Sequence, residues 1–489
     1  MSTSINGVGS VSSAGLGSGL DVNSIVTQLM AVEQRPLTQL QSAATGLKSE
    51  VSTFGQLQSL FSALQDKSNA LTDSALWSGT TANSADAGSV SVSTGANATA
   101  GSYAVNVQHL ASSQTVTAAA LASSSSMLNA GTLTIELGSW TGTPTSGFSA
   151  KIGSPPVIVT IGAGETSLTS IRDKINASGA GVTASIVTDA GGARLSLRSK
   201  DTGEQNAFRI SATESADDGV AGTGLTALAY DAAGGSSQMT RSETADNALA
   251  TINGIAIASA SNTLSNVIDG LTVSLLKPTA GAVSVSVAAN SAGIKQKITD
   301  FFGAFNDLAT FLHSQMAYNA DSKSGGALQG DQTAVSLQRA LGNALKQSST
   351  ASSSWSRLSD IGIAMTTSGT LSTDATQLDS ALGNLPELKK LLTASGADSA
   401  SSGFVRRWKG LADAALGSGG AFENRTASLN ARLSRNTRSQ DDLTQRLSLT
   451  EARMRAQYTA LDSKMAQLNG LSSYMTQQLA AFNKSTSGG

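Results

Sequence analysis

A chain of 489 residues is long enough for about three or four domains, and its balance of 32 basic against 34 acidic residues leaves no electrostatic footprint for nucleic acid. Cysteine is absent, which excludes disulfides and thiolate metal sites. Any histidine-based triad or metal site would have to be built around one of only two histidines, His109 and His313, and both read as structural.

The first twenty residues carry no charged side chain and are mostly small, so they lack the basic start and apolar core of a secretory signal and read as a flexible terminus. Gly15-Leu-Gly-Ser-Gly-Leu20 lacks the preceding strand and the lysine of a phosphate-binding loop. No run of about eighteen apolar residues exists, so no membrane-spanning helix is expected. Asp21 reads as the N-cap of a helix with the apolar face Ile25, Leu29 and Val32, which Pro36 should end or kink. Leu40, Leu47, Phe54 and Phe61 then recur every seven residues, with Leu37, Val51, Leu57, Leu64 and Leu71 beside them, which is a helix-packing seam.

After Trp77 the period becomes two. Val90 and Val92, then Tyr103, Val105 and Val107, read as strands with one buried face. A compact β-β-α-β-β-β unit follows: strands at Leu133 and Ile135 and at Val157, Val159 and Ile161, a helix face of Leu168, Ile171 and Ile175, and strands through Val182, Leu195 and Phe208. Asn253-Gly254 marks a tight hairpin, and a second hairpin is expected between Leu271, Val273, Leu275 and Val283, Val285, Val287. These strands are expected to complete the sheet begun at Val90, so that one discontinuous domain encloses the other. Helical seams return at Ile294, Ile298, Phe301, Phe305, Leu308 and Leu312, after an Asp331 cap at Leu337, Leu341 and Leu345, and at Phe404, Trp408 and Leu411.

The last stretch holds the longest column: Leu433, Gln440, Leu447, Met454, Leu461, Leu468, Met475 and Phe482, spaced by seven and apolar at every step but one. Its companion positions, Leu429, Asn436, Leu443, Thr450 and Gln457, give way to Tyr458, Met465 and Leu479, so the seam drifts, as in a helix that changes neighbours. Two long seams at opposite ends of one chain predict terminal helices packed antiparallel, with the intervening chain inserted at their far end. The polar steps Asn436, Gln440, Thr450 and Gln457 either set register and reversibility in the seam or face solvent. Seven arginines between Arg425 and Arg455 read chiefly as a solvated face with i to i+4 pairs, contact with an acidic partner being the sharper reading.

The expected fold is α+β and multidomain: antiparallel terminal helical coiled-coil legs, a helical-bundle domain and two inserted β-rich head domains. The expected parts are a terminal leg of residues 1–36 with 437–489, a coiled-coil helix at 37–78 packing with a helical domain at 289–436, an inner β domain of 79–118 with 239–288, and an outer β domain at 119–238.

Several ordered motifs carry a resemblance to a known family. They are Gly15 to Met30, Glu33-Gln-Arg-Pro-Leu37, Ala245 to Val287 with Ser261-Asn-Thr-Leu264 and Asp269-Gly-Leu-Thr272, Ser359-Asp-Ile-Gly-Ile363 with Gly369-Thr-Leu371 and Asp374, and Tyr458 to Asn469 with Ser473-Tyr-Met475. With these the chain resembles the flagellar filament cap family, hook-associated protein 2, over nearly its whole length. It departs from the family at Thr366, Thr367 and Ser368, where many relatives have acids, and this weakens any cation-binding turn there.

The resemblance implies a homo-oligomeric cap, commonly a pentamer, at the extracellular tip of the flagellum. Its implied partners are flagellin, further copies of itself, the type III export apparatus and a cytoplasmic export chaperone on the C-terminal helix. No cofactor, nucleic acid or membrane insertion is expected. The seam residues Leu40, Leu47, Phe54, Phe61, Leu433, Leu447, Met454, Leu461, Leu468, Met475 and Phe482 are the expected interface. An adhesin whose outer β domain binds mucin or glycans is the alternative. A glycosidase would need two facing carboxylates, and the acids are scattered.

Overall fold

Side-chain caps and a proline decide where the terminal helices start. The computed structural model describes residues 21–486 except 221, 236, 321 and 322, and except the side chains of 319, 482 and 484–486. The expected flexible terminus, residues 1–20, lies outside the described residues. Asp21 Oδ1 accepts the Ser24 N–H at 2.9 Å and opens α1 (Val22–Glu33). Pro36 sits in the first turn of α2 (Arg35–Thr72), where its missing N–H has no helical partner to lose, so the proline restarts the helix after Gln34.

The chain divides into two compact units, one of residues up to Asp73 with those from Ser291 onward, the other Ser74–Asn290. The short α3 (Ser74–Ser78), expected to continue the preceding helix, groups with the second unit.

The second unit has two cores. Its first strands are β1 (Thr80–Ser84), β2 (Val90–Thr94) and β3 (Gly101–His109). The chain then runs through β4 (Thr115–Thr117), β5 (Gly131–Thr141), β6 (Gly147–Ala150), β7 (Val157–Ile161), α4 (Leu168–Ala177), β8 (Val182–Asp189), β9 (Gly192–Ser199), β10 (Ala207–Glu214) and β11 (Thr240–Glu243). It returns by β12 (Ala248–Ile252), β13 (Ile255–Ser259), β14 (Thr263–Ile268), β15 (Leu271–Leu275) and β16 (Val283–Ala289). In the segment from β4 to β11, β5 is central, pairing β10 along one side and β7 then β6 along the other, and a second sheet runs β11-β4-β9-β8. Ile171, Leu195 and Phe208 lie in their common core. β4, β6 and β11 were not expected; at three or four residues each they are too short to show an alternation.

The other core corrects two expectations. Asn253 and Gly254 do turn β12 into β13, with φ of 51° and 83°. The second expected hairpin does not form. β15 pairs β2, with Val273 opposite Val92, and β16 pairs β3, with Val285 opposite Tyr103. Residues 276–282 therefore cross between a three-stranded sheet, β14-β15-β2, and a five-stranded one, β1-β16-β3-β12-β13. Val90 and Val105 sit in different sheets that share one core, rather than in a single sheet.

The first unit resumes with α5 (Ser291–Met316), the short pair β17 (Tyr318–Asn319) and β18 (Ser324–Gly325), α6 (Gln332–Lys346), the hairpin β19 (Ile363–Met365) and β20 (Leu371–Thr373), then α7 (Ala375–Leu382), α8 (Leu385–Thr393), α9 (Phe404–Leu416) and α10 (Ala421–Thr486). Trp408 of α9 is fully buried, its ring 5.2 Å from both Phe301 and Phe305 of α5. Each such side chain contributes roughly 1.5–3 kcal/mol by leaving water. At 66 residues, α10 is about 100 Å long, far more than this bundle can cover.

Candidate functional site

The antiparallel pairing of α10 with α1 and α2 is read from three contacts. Arg425 Nη2 lies 3.3 Å from Glu50 Oε2, Gln440 Nε2 donates to the Leu40 carbonyl at 3.4 Å, and Arg455 Nη1 donates to Asn23 Oδ1 at 2.8 Å. As α10 advances, its partners recede along the N-terminal helices.

Where α10 leaves the bundle, Phe422 packs edge-on against Phe61 and Phe54, ring centroids 5.1 and 6.4 Å apart, and all three are buried. Leu47 and Leu447 are also buried, while Leu40, Leu433 and Met454 are half-buried. Asn436 and Gln440 do not face solvent: both are half-buried, and Gln440 Nε2 reaches Asn436 Oδ1 at 2.6 Å as well as Leu40. Thr450 is half-buried and Gln457 exposed.

α1 closes the covered section. Its Val22, Val26 and Met30 form a small core with Leu447, against which Leu37, Leu443, Met454 and Tyr458 pack. This corrects the expected face. Leu29 and Val32 are exposed and Ile25 half-buried, because α1 is apolar on two sides and the other one meets α10.

Beyond Tyr458 the column stays apolar but loses its cover. Leu461 is 47%, Leu468 59% and Met475 57% exposed, and Met465 and Leu479 on the same stripe are exposed too. The side chain of Phe482 lies outside the described residues. The expected seam residues thus separate into those brought together, from Leu40 to Phe61 with Leu433 to Met454, and three, Leu461, Leu468 and Met475, that stay exposed among the described residues.

Arg425, expected on a solvated face, is instead a half-buried junction between Glu50 and the buried Asp331. Its Nη2 lies 2.6 Å from Asp331 Oδ2, its guanidinium stands 5.8 Å from the Phe54 ring centroid, and Asp331 Oδ1 caps α6 through the N–H groups of Thr333 and Ala334. Arg455 alone makes the expected i to i+4 pair, with Glu451 at 2.8 Å. Neither contact of Arg425 has a local signal, since Glu50 and Asp331 are remote in sequence. Among the polar groups of the bundle, Glu387 is held well below its ordinary 4.5, at about 2, by Lys390, the Ser352 hydroxyl and the Ser353 N–H.

His109 and His313 are both exposed. In the turn before Gly369, Thr366 Oγ1 lies 2.8 Å from Ser368 Oγ and 2.7 Å from Thr370 Oγ1, so its hydroxyls engage one another. Among the described residues no group of three or more His, Asp or Glu is placed to hold a metal ion, and no helix is long and apolar enough to cross a membrane.

Comparison with known proteins matches these elements in order. Residues 18–114 match the flagellar hook-associated protein 2 N-terminus, 245–470 the C-terminus of the same family, and 132–201 the flagellin hook IN motif. The flagellar hook-associated protein 2 of Escherichia coli K12 is 32% identical, over 96% of this chain and 98% of that protein. The B-type protein of Pseudomonas aeruginosa is 28% identical over 96% and 97%. The crystal structure of the three-domain flagellar cap protein fragment from Escherichia coli superposes with a TM-score of 0.58 at 30% identity, covering 77% of this chain and 99% of the fragment. Family models at both ends, identity over nearly the whole length and a shared fold lead to one conclusion: this chain belongs to the flagellar hook-associated protein 2 family, the flagellar cap proteins.

Proposed function

We propose that this chain caps the distal end of the flagellar filament, retains flagellin there and promotes its polymerisation through reversible helix contacts, without covalent chemistry. The observation that carries this reading is the bare half of the α10 column. Leu461, Met465, Leu468, Met475 and Leu479 keep helix-packing spacing yet stay exposed among the described residues, and such a stripe is suited to a groove between other helices. The covered half, with Leu40, Leu47, Phe54, Phe61, Leu433, Leu447 and Met454, holds each leg together while its free end rebinds.

In this reading residues 1–36 with 437–489 form the leg, 289–436 with 37–78 make subunit contacts in a homo-oligomer such as a pentamer, and the inner (79–118, 239–288) and outer (119–238) β domains form the plate. The uncharged N-terminus and the absence of cysteine suit export as an unfolded, unbridged chain through the type III channel, with a chaperone covering the C-terminal helix beforehand. The protein then acts outside the cell, at the flagellar tip.

The test is filament growth in a strain lacking its own cap, supplemented with purified protein. Flagellin should stay on filaments and lengthen them. Equal retention with and without the protein would end this reading.

A further inference from the structure

Two surfaces of the leg unused by the seam lie side by side. α1 carries a second apolar stripe, Ile25, Leu29 and Val32, with Leu29 39% and Val32 56% exposed. On α10 every cation from residue 421 to 455 is an arginine, and Arg432, Arg446 and Arg453 hold no ion pair among the described residues, whereas Arg425 and Arg455 do.

Those three arginines each immediately precede a seam residue, Leu433, Leu447 and Met454, so they recur in heptad register beside the column. That is the flanking position at which coiled coils pair charge with a partner helix. Neither α1 nor α2 supplies that charge to them.

At about 100° per residue, the Ile25 stripe lies roughly 90° round α1 from Val22, Val26 and Met30, and the arginines lie roughly 90° round α10 from Leu443, Leu447 and Met454, in the same sense. Because the helices are antiparallel, both rotations turn to the same side of the pair. Farther along this flank a groove of 540 Å³ opens between α2 and α10, with Ala43 and Gly46 in its wall and Arg432 and Arg435 at its edge. Nothing lies within 4 Å of where a Gly46 Cβ would stand, so a backbone can approach there. From residue 432 to 453 the surface is about 30 Å long, with an apolar bank, an arginine bank and a small-residue end. Glu50, which lines the groove and is engaged by Arg425, Asp442 on α10 and Glu33 at the end of α1 are acids along this flank, and none of them pairs with Arg432, Arg446 or Arg453. Guanidinium forks at heptad spacing match carboxylates on a helix.

We propose that this side of the leg docks an amphipathic helix of a partner protein whose apolar stripe is edged with carboxylates, as a third helix along α1 and α10. It is separate from the bare stripe beyond Tyr458 and stands whether or not that stripe contacts the filament.

The probe is a fluorescein-labelled helical peptide with leucines at heptad spacing edged by glutamates, titrated against the full chain beside its lysine-edged counterpart. The glutamate peptide should bind and the lysine peptide should not, with affinity falling as salt is added. Arg446→Glu with Arg453→Glu, and separately Leu29→Asp, should each weaken binding at least tenfold. Arg446→Gln with Arg453→Gln provides a milder version if a variant melts early in circular dichroism, and should still weaken binding several-fold. Equal affinity for both peptides, binding unchanged in folded variants, or tighter binding of a DNA duplex or phosphatidylserine vesicles than of the glutamate peptide would overturn the proposal.

Discussion

The upper and lower halves of α10 carry the same heptad column, yet Leu447 is buried and Leu468 is 59% exposed. Composition does not separate them; neighbours do. The upper half has α2 and then α1 laid against it, and the described cover ends near Tyr458, opposite the start of α1. A helix that continues its packing pattern past its partner has solvent-exposed apolar surface of a kind that soluble monomers seldom keep without a use. The difference teaches that a periodic column reports a need for a partner, not the partner's identity.

Substitutions can break this contrast at graded cost. Phe54→Ala removes the ring between Phe422 and Arg425 at the bundle end and should destabilise the first unit by about 3–5 kcal/mol, measured by denaturant unfolding. Leu447→Ala strikes the core under α1 and should cost about 2 kcal/mol. Hydrogen exchange in that variant should quicken in α1 more than in α5; an equal rise in both would contradict the separate small core. Leu461→Asp with Leu468→Asp touches only exposed positions, so stability should change by no more than about 0.5 kcal/mol each, while filament capping is lost. Loss of the sheet signal in circular dichroism of that variant would contradict the division into units.

The smallest effect concerns acid. Glu387 has its folded pKa depressed to about 2 from 4.5, so the stabilisation it gives is complete above about 4.5 and disappears as pH falls through about 2. Over that window the chain at Ser352 and Ser353 should loosen from α8, and Glu387→Gln should remove this part of the acid response. An unchanged acid profile in that variant would count against the contact.

Much of this was legible in the residues because it is local. Asp21, Pro36, Asp331 and the Asn253-Gly254 turn act on backbone within a few positions, and the two heptad columns need only a period. Non-local choices were not legible. α1 offers apolar residues on two sides, and period alone cannot say which meets α10. Strands β15 and β16 are close in sequence and alternate alike, yet one belongs to the sheet of β2 and the other to that of β3. Arg425 looks like its neighbours on α10 until Glu50 and Asp331 arrive from distant segments. In each case the deciding partner lies far along the chain.

The absence of cysteine allows the central claim to be tested one position at a time. Leu447→Cys, Leu461→Cys and Leu468→Cys, each the sole thiol of its chain, would be labelled with a maleimide in the free protein and on capped filaments. Position 447 should react slowly in both states, while 461 and 468 should react fast in the free protein and become protected on the filament. Equal, rapid labelling of 461 and 468 on filaments that remain capped would contradict the assignment of the bare half of α10 to the filament contact.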